Sequence, residues 1–61
     1  MQNNLQIIKK LILGQKVTIK YKILSSYVEK TGMLLKIDLV NEYLHLPNIA
    51  IPFANIITIE T

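Results

Sequence analysis

Residues 16–24 read KVTIKYKIL, and this stretch decides the fold class. Apolar side chains occupy every second position of it: Val17, Ile19, Tyr21 and Ile23. Threonine and lysine side chains fill the positions between them. Alternation with a period of two is typical of a β-strand that has one buried and one solvated face. The stretch therefore predicts a half-buried strand.

Similar patterns predict four further strands towards the C-terminus. The five strands are expected over residues 16–24, 27–37, 43–46, 48–51 and 56–60. Gly32 lies inside the second, where glycine marks a bulge, a bend or a close approach of two backbones. Pro47 and Pro52 bracket the fourth strand because proline cannot donate to a sheet ladder, and residues 52–55 suit a single 3₁₀ turn. Five short strands in so short a chain predict a small, strongly bent barrel.

The segment before the first strand predicts an amphipathic helix over about residues 3–13. Its apolar side chains follow the helical period: Leu5, Ile8, Leu11 and Ile12. Asn3 or Asn4 can cap its N-terminus, and Gly14 can end it with a positive φ. Residues 1–61 are therefore expected to form one mainly β domain, a five-stranded barrel with an N-terminal helix.

The chain length and composition predict that association with another chain contributes to stability. A chain of 61 residues buries only a modest core. It has no cysteine and one histidine, so disulfides, thiolate metal sites and multi-histidine sites within one chain are excluded, and no cofactor is expected. Because 51% of the residues are hydrophobic, part of the apolar surface is expected to lie against a partner.

The charge and hydropathy of the chain favour a cytoplasmic protein with no membrane partner. No stretch reaches the ~18 apolar residues of a membrane span, and the first residues lack the features of a signal peptide. The net charge is +3, and every positive residue is a lysine. Arginine, the usual bidentate reader of phosphate and guanine, is missing from the chain. The bias towards isoleucine, leucine, lysine and asparagine is typical of an AT-rich genome.

A catalytic function is not expected. The carboxylates are few and form no pair with the spacing of an acid–base dyad: Glu29, Asp38, Glu42 and Glu60. The single histidine, His45, alternates with two leucines and is expected on the outer face of the third strand. Gly14 and Gly32 stand alone, which excludes a phosphate-binding loop. We therefore expect a protein that binds without catalysing a reaction.

Two motifs resemble the Sm-like family. Residues 32–38, followed by Asn41 and Leu44, resemble its first signature, and the isoleucines within residues 51–59 resemble the end of its second. Residues 32–38 together with IPFANIITIE at residues 51–60 are similar in texture to the YolD-like family. Together with the predicted N-terminal helix and first strand, which the family also has, these resemblances cover the whole chain. They imply an SH3-like barrel, assembly into a ring, and an origin in a bacterium, a phage or another mobile element.

The chain departs from the RNA-binding members of that family at the positions that hold RNA. Their first signature has an Asp-x-x-Met-Asn turn, whereas Asn41 here comes one residue early after Asp38. Pro52 and Phe53 replace a basic residue and a glycine of the second signature. Asp38 and Asn41 are therefore predicted to form a turn. Weak nucleic-acid contacts remain at five residues: Lys20, Lys22, Lys36, Asp38 and Asn41.

The predicted function is that of a protein-interaction or regulatory module that acts through its sheet edges and a face of its barrel. The fourth and fifth strands are short, β-branched and nearly uncharged, which favours the addition of a strand from another chain. The residues expected along this interaction edge are Ile49, Ile51, Ile57 and Ile59. The partner is a second copy of the chain, another protein, or both. The alternative is an Sm-like ring that binds RNA or another single-stranded nucleic acid.

Overall fold

The computed structural model describes residues 4–61, and these residues are mainly β, as the sequence predicts. The elements in chain order are α1 (Asn4–Lys9), β1 (Lys16–Ile23), β2 (Ser26–Met33), β3 (Lys36–Asp38), β4 (Tyr43–Leu46), β5 (Ile49–Pro52), the 3₁₀ turn η1 (Phe53–Asn55) and β6 (Ile56–Glu60). The strands form two antiparallel three-stranded sheets, with the orders β2-β1-β6 and β3-β4-β5.

The long second strand predicted over residues 27–37 is divided in two, so the described chain has six strands where five were expected. The division falls at Leu34 and Leu35, past Gly32. The backbone of Leu34 still bonds towards β1, because its N–H donates to the Gln15 carbonyl at 2.8 Å. The N–H of Leu35 instead donates to the carbonyl of His45 in the other sheet, also at 2.8 Å. The chain therefore passes from one sheet to the other within two residues.

The helix is shorter than predicted, ending at Lys9 instead of near residue 13. Its predicted start at residue 3 and the cap at Asn3 lie outside the described residues. Residues 12–15 form a turn, in which the N–H of Gln15 donates to the carbonyl of Ile12 at 3.1 Å. Gly14 has a φ of +86° in this turn, and its N–H donates to the Leu34 carbonyl at 2.8 Å. This tertiary hydrogen bond competes with further helix, and glycine tolerates the positive φ that the turn requires.

The core contains side chains from both sheets and from α1. The buried residues are Ile8, Val17, Ile19, Tyr21, Leu34, Leu44, Leu46, Ile51 and Ile56. The buried face predicted for the first strand is therefore confirmed at Val17, Ile19 and Tyr21. The prediction of a buried side chain is wrong at Ile23, because this residue adjoins the exposed turn after β1 and is 43% exposed. Phe53 in η1 packs against the edge of this core.

Candidate functional site

Four strands of the described chain lie at the edges of the two sheets: β2 and β6 in the first, β3 and β5 in the second. Two of these edges carry charges within the strand. β2 contains Glu29 and Lys30, and β3 contains Lys36 and Asp38. β5 has no charged residue, and the only charge of β6 is at its last residue, Glu60. Charged edges resist pairing with another strand, so β5 and β6 are the edges open to strand addition.

The free edge of β5 exposes the backbone of Ala50. β4 and β5 are joined by the two-residue turn at Pro47 and Asn48, which makes Leu46 and Ile49 a hydrogen-bonded pair. Antiparallel pairs alternate in type, so the N–H and C=O groups of Ile49 and Ile51 face β4. The same alternation continues past the strand, where the N–H of Phe53 donates to the carbonyl of Glu42 at 2.9 Å.

The groups left on the free side of β5 belong to Ala50 and Pro52. Pro52 has no N–H, so Ala50 supplies the outward donor of this strand. Ala50 is exposed, whereas the side chain of Ile51 is fully buried. The predicted residues Ile49 and Ile51 therefore hold β5 in place, and Ala50, which the sequence analysis missed, presents the edge. The length of the turn before β5 is the signal that identifies it.

The backbone groups of Ile59 in β6 point away from β1. Thr58 pairs with Lys20 of β1, and Glu60 pairs with Thr18, so these two residues face β1. The carbonyl of Lys22 also faces this side, since it accepts a hydrogen bond from Asn55 Nδ2 at 2.9 Å. The ladder has an irregularity here, because Lys20 pairs with Thr58 but Tyr21 with Ile56. Ile57 is the extra residue, and an extra residue of this kind bends its strand.

Asp38 and Asn41 are bonded to each other in the turn between β3 and β4. Asp38 Oδ1 accepts the backbone N–H of Asn41 at 2.9 Å and that of Val40 at 3.1 Å. Asn41 Nδ2 donates to Asp38 Oδ2 at 3.0 Å. The backbone N–H and then the side-chain amide of Asn41, helped by the charge of Lys36, hold the pKa of Asp38 below its ordinary value of 3.8. Polar atoms of both side chains are therefore engaged in hydrogen bonds within the turn instead of facing a ligand.

The three lysines with predicted nucleic-acid contacts do not share one face. Lys20 and Lys22 lie on the outer face of the first sheet, where the ammonium of Lys20 is 5.7 Å from the ring centre of Tyr27. Lys36 lies in the second sheet and pairs with His45. A single-stranded nucleic acid that follows Lys20 and Lys22 therefore leaves the first sheet before it reaches Lys36.

The outer face of the second sheet carries a row of polar and aromatic side chains. The rings of Tyr43 and His45 are 6.4 Å apart between centres. Lys36 lies beside His45, and Asp38 lies beside Tyr43, because each pair is in register. We call these four residues the outer polar face. This face of the second sheet combines aromatic rings with charges.

An open groove of about 300 Å³ lies between α1 and η1. It is lined by Leu5, Ile8, Glu42, Phe53 and Ala54. Within residues 4–61, no group of three histidine, cysteine, aspartate or glutamate side chains is placed to hold a metal ion. The same part of the chain contains no helix with the length and hydropathy that a bilayer span requires.

Comparison with known proteins returned no match to any family model, curated protein or solved structure. The resemblance to the Sm-like and YolD-like families therefore stays a prediction based on residues 32–44 and 51–60. The features of this chain that bear on its function are its sheet edges and exposed faces.

Proposed function

We propose that this protein is a non-catalytic interaction or regulatory module that binds a second copy of itself or another protein through the free edges of β5 and β6. In this proposal the two sheets are the halves of an SH3-like barrel of Sm-like type. The observation that carries the proposal is the contrast between the four edges: β2 has two charges in its middle and β3 has a charge at each end of its three residues, whereas β5 has no charge and β6 has one at its last residue. Natural sheets use such charges to prevent pairing with other strands.

Strand addition uses the backbone groups that these two edges leave unpaired. Ala50 offers an N–H and a C=O on β5, and Ile59 offers the same pair of groups on β6. Main-chain hydrogen bonds give such a complex its affinity, and the side chains beside the edge give it specificity. Pairing of β5 with β6 of the next copy gives a ring or an open chain, whereas pairing of like edges gives a two-fold dimer.

The outer polar face adds the side-chain part of the interaction. Ala50 lies in register with His45, so the side chains around His45 adjoin the edge where a new strand adds. Tyrosine is common at protein interfaces because its ring buries apolar area while its hydroxyl bonds to polar groups. A strand added at β5 therefore meets Ala50 first and then the rings of Tyr43 and His45.

The alternative, an Sm-like ring that binds RNA or another single-stranded nucleic acid, has one favourable observation. Lys20, Lys22 and Tyr27 combine charge with an aromatic ring on one face, which suits binding of single strands by stacking. The ammonium of Lys20 already lies over the Tyr27 ring, and Asp38 and Asn41 are bonded to each other. These contacts leave charge as the main attraction, so we rank this function second.

The substitution Ala50→Pro tests the proposed edge. It removes the outward N–H of β5 while the hydrogen bonds from Ile49 and Ile51 to β4 remain. The parent is expected to sediment as more than a monomer at micromolar concentration, and Ala50→Pro is expected to shift it towards monomer. Thr31→Pro is the control, because it removes an outward N–H from the charged edge of β2, together with the hydroxyl bond to Thr18, and should leave association unchanged.

Circular dichroism of both variants is needed to show that the strands remain folded. A parent that is a clean monomer at high concentration removes self-pairing and leaves a foreign protein as the only partner. Association that survives Ala50→Pro but is lost in Thr31→Pro assigns the interface to β2 and overturns the proposal.

A further inference from the structure

Four large apolar residues are exposed at one end of the molecule. The turn at residues 12–15 lies alongside residues 33–35, because Leu34 exchanges hydrogen bonds with Gly14 and Gln15 at 2.8 Å each. Their exposed fractions lie between 52% and 68%, and the four residues are Ile12, Leu13, Met33 and Leu35. We call these four residues the apolar tip. Single exposed apolar residues are ordinary, but four brought together by tertiary hydrogen bonds form a patch.

Lysines flank the apolar tip on several sides. Lys10 precedes Ile12 by two residues, Lys16 pairs with Met33, and Lys36 follows Leu35. All three are exposed. None of the residues from 10 to 16 or from 33 to 36 is acidic, and Asp38, two residues further on, accepts hydrogen bonds in its own turn. The surroundings of the tip are therefore positive, which matches an anionic surface.

The tip consists of exposed side chains, and none of them lines the groove between α1 and η1. Leu13 lies in the middle of a turn, and Met33 and Leu35 flank the buried Leu34. An exposed apolar turn with lysines beside it suits insertion into the interface of a bilayer, where apolar side chains enter the acyl boundary and lysines meet anionic headgroups.

We propose that the apolar tip and its lysines bind the surface of a bilayer that contains anionic lipids. The sequence predicts no membrane partner because it offers no spanning segment and its amphipathic helix is short. The present proposal revises that expectation, since it rests on a different part of the chain. It requires no spanning segment. It is also independent of the proposed function, because none of the four tip residues belongs to β5 or β6.

A single tryptophan provides the test, because the chain contains none. Leu13→Trp places the indole in the tip, and Leu24→Trp places it at the far end of the β1–β2 hairpin, where Leu24 is 91% exposed. With vesicles of mixed phosphatidylglycerol and phosphatidylcholine, the fluorescence of Leu13→Trp is expected to shift to the blue. The fluorescence of Leu24→Trp is expected to stay unchanged, and neither should shift with vesicles of phosphatidylcholine alone.

Vesicle co-sedimentation of tryptophan-free variants separates charge from apolar insertion. Lys16→Gln should weaken partitioning about fivefold, whereas Lys30→Gln, in the middle of β2, should change it much less. Leu35→Ser should weaken binding about tenfold by loss of apolar area. Binding should also fall as salt rises, because the lysines act through screened charges.

Equal binding to neutral and anionic vesicles, or no binding to either, overturns the proposal. A blue shift of Leu13→Trp without vesicles, growing with protein concentration, also overturns it, because the tip is then covered by a second copy of the chain. Ala50→Pro should still bind anionic vesicles, because it leaves the apolar tip unchanged. Membrane binding can therefore be confirmed or rejected independently of the outcome of the edge experiment.

Discussion

Gly32 shows how a single missing methyl group can fix the fit between the two sheets. It lies in β2 opposite Val17, and a Cβ added to it would lie 3.3 Å from Cδ of Pro47. Pro47 belongs to the turn between β4 and β5, so this contact joins the first sheet to the second. The close approach predicted from the sequence is present, while the change of sheet occurs later in the chain, between Leu34 and Leu35.

We expect Gly32→Val to lower the free energy of unfolding by about 1–3 kcal/mol, since its branched side chain meets the Pro47 ring. A loss of 1 kcal/mol lowers the melting temperature of a domain this small by about 4–8 °C. Thermal denaturation measures the shift, and Gly32→Ala should give a smaller one. Melting within about 2 °C of the parent would mean that Pro47 moves aside freely.

Asp38 is expected to make stability depend on pH in acid. Its pKa in the folded protein is below 3.8, mainly because the N–H of Asn41 donates to the carboxylate. The unfolded chain therefore binds this proton more readily, so the stabilisation is present above about pH 4 and is lost as pH falls through the lowered pKa. Melting curves from pH 6 to pH 2 should show this loss in the parent.

The variant Asp38→Ala isolates that contribution. It should melt at a lower temperature than the parent at neutral pH, because the turn loses its acceptors. The difference between the two proteins should shrink as the pH falls below about 4, where the carboxylate is protonated in the unfolded chain. A constant difference down to pH 2 would show that the Asp38 carboxylate does not stabilise the turn through its charge.

At the scale of elements, the direction in which each backbone group points depends on the turn that precedes the strand. The two-residue turns before β2 and β5 set the hydrogen-bonded pairs, and every later pair alternates from them. Thr58 and Ala50 consequently differ although both lie in edge strands. The N–H of Thr58 faces β1, whereas that of Ala50 faces outward.

Proline substitutions distinguish these two directions. Thr58→Pro should be less stable than Thr58→Ala by about 1–3 kcal/mol, since proline removes a ladder donor and leaves its partner carbonyl on Lys20 unpaired. Ala50→Pro should cost less than about 1 kcal/mol relative to the parent, because its N–H has no partner strand and edge strands tolerate proline. Urea denaturation at a concentration where each protein is monomeric makes the comparison. Equal costs at both positions would reject the assigned alternation.

At the scale of the whole molecule, the lysines are distributed over both sheets and both ends. Lys20 and Lys22 lie on the first sheet, and Lys36 lies on the second. No arginine is available to form bidentate contacts with phosphate or guanine. A surface of this kind attracts polyanions through charge alone, without reading their sequence.

We therefore expect weak binding to nucleic acid that does not depend on sequence, with a Kd of about 10⁻⁴–10⁻⁶ M that weakens as salt rises. Fluorescence anisotropy with U-rich, A-rich and mixed RNA at two salt concentrations measures it. Lys22→Gln should reduce binding to all three RNAs alike, and Asn41→Ala should not. Tight, U-selective binding that persists at physiological salt and disappears in Asn41→Ala would restore the Sm-like RNA ring as the function.

The sequence by itself determined the elements whose cause is local. Alternation placed β1, and the predicted positions of β4 and β6 agree with the described strands. The prolines placed β5 to within one residue: the strand was predicted over residues 48–51 and is observed over Ile49–Pro52, with Pro52 inside it. The turn at Asp38 and Asn41 was also predictable, because short polar side chains bond to the backbone two and three residues away. In each case the residues that determine the structure are neighbours along the chain.

The tertiary structure decided what depends on contacts between distant residues. It ended α1 at Lys9, because Gly14 bonds to Leu34, and it divided the second strand where Leu35 turns to His45. It also determined that Ala50 faces outward while Ile51 is buried, and it gathered the apolar tip from two segments about 20 residues apart. Hydropathy along a chain reports which residues are apolar. Only the packing of the two sheets decides which of those residues remain exposed.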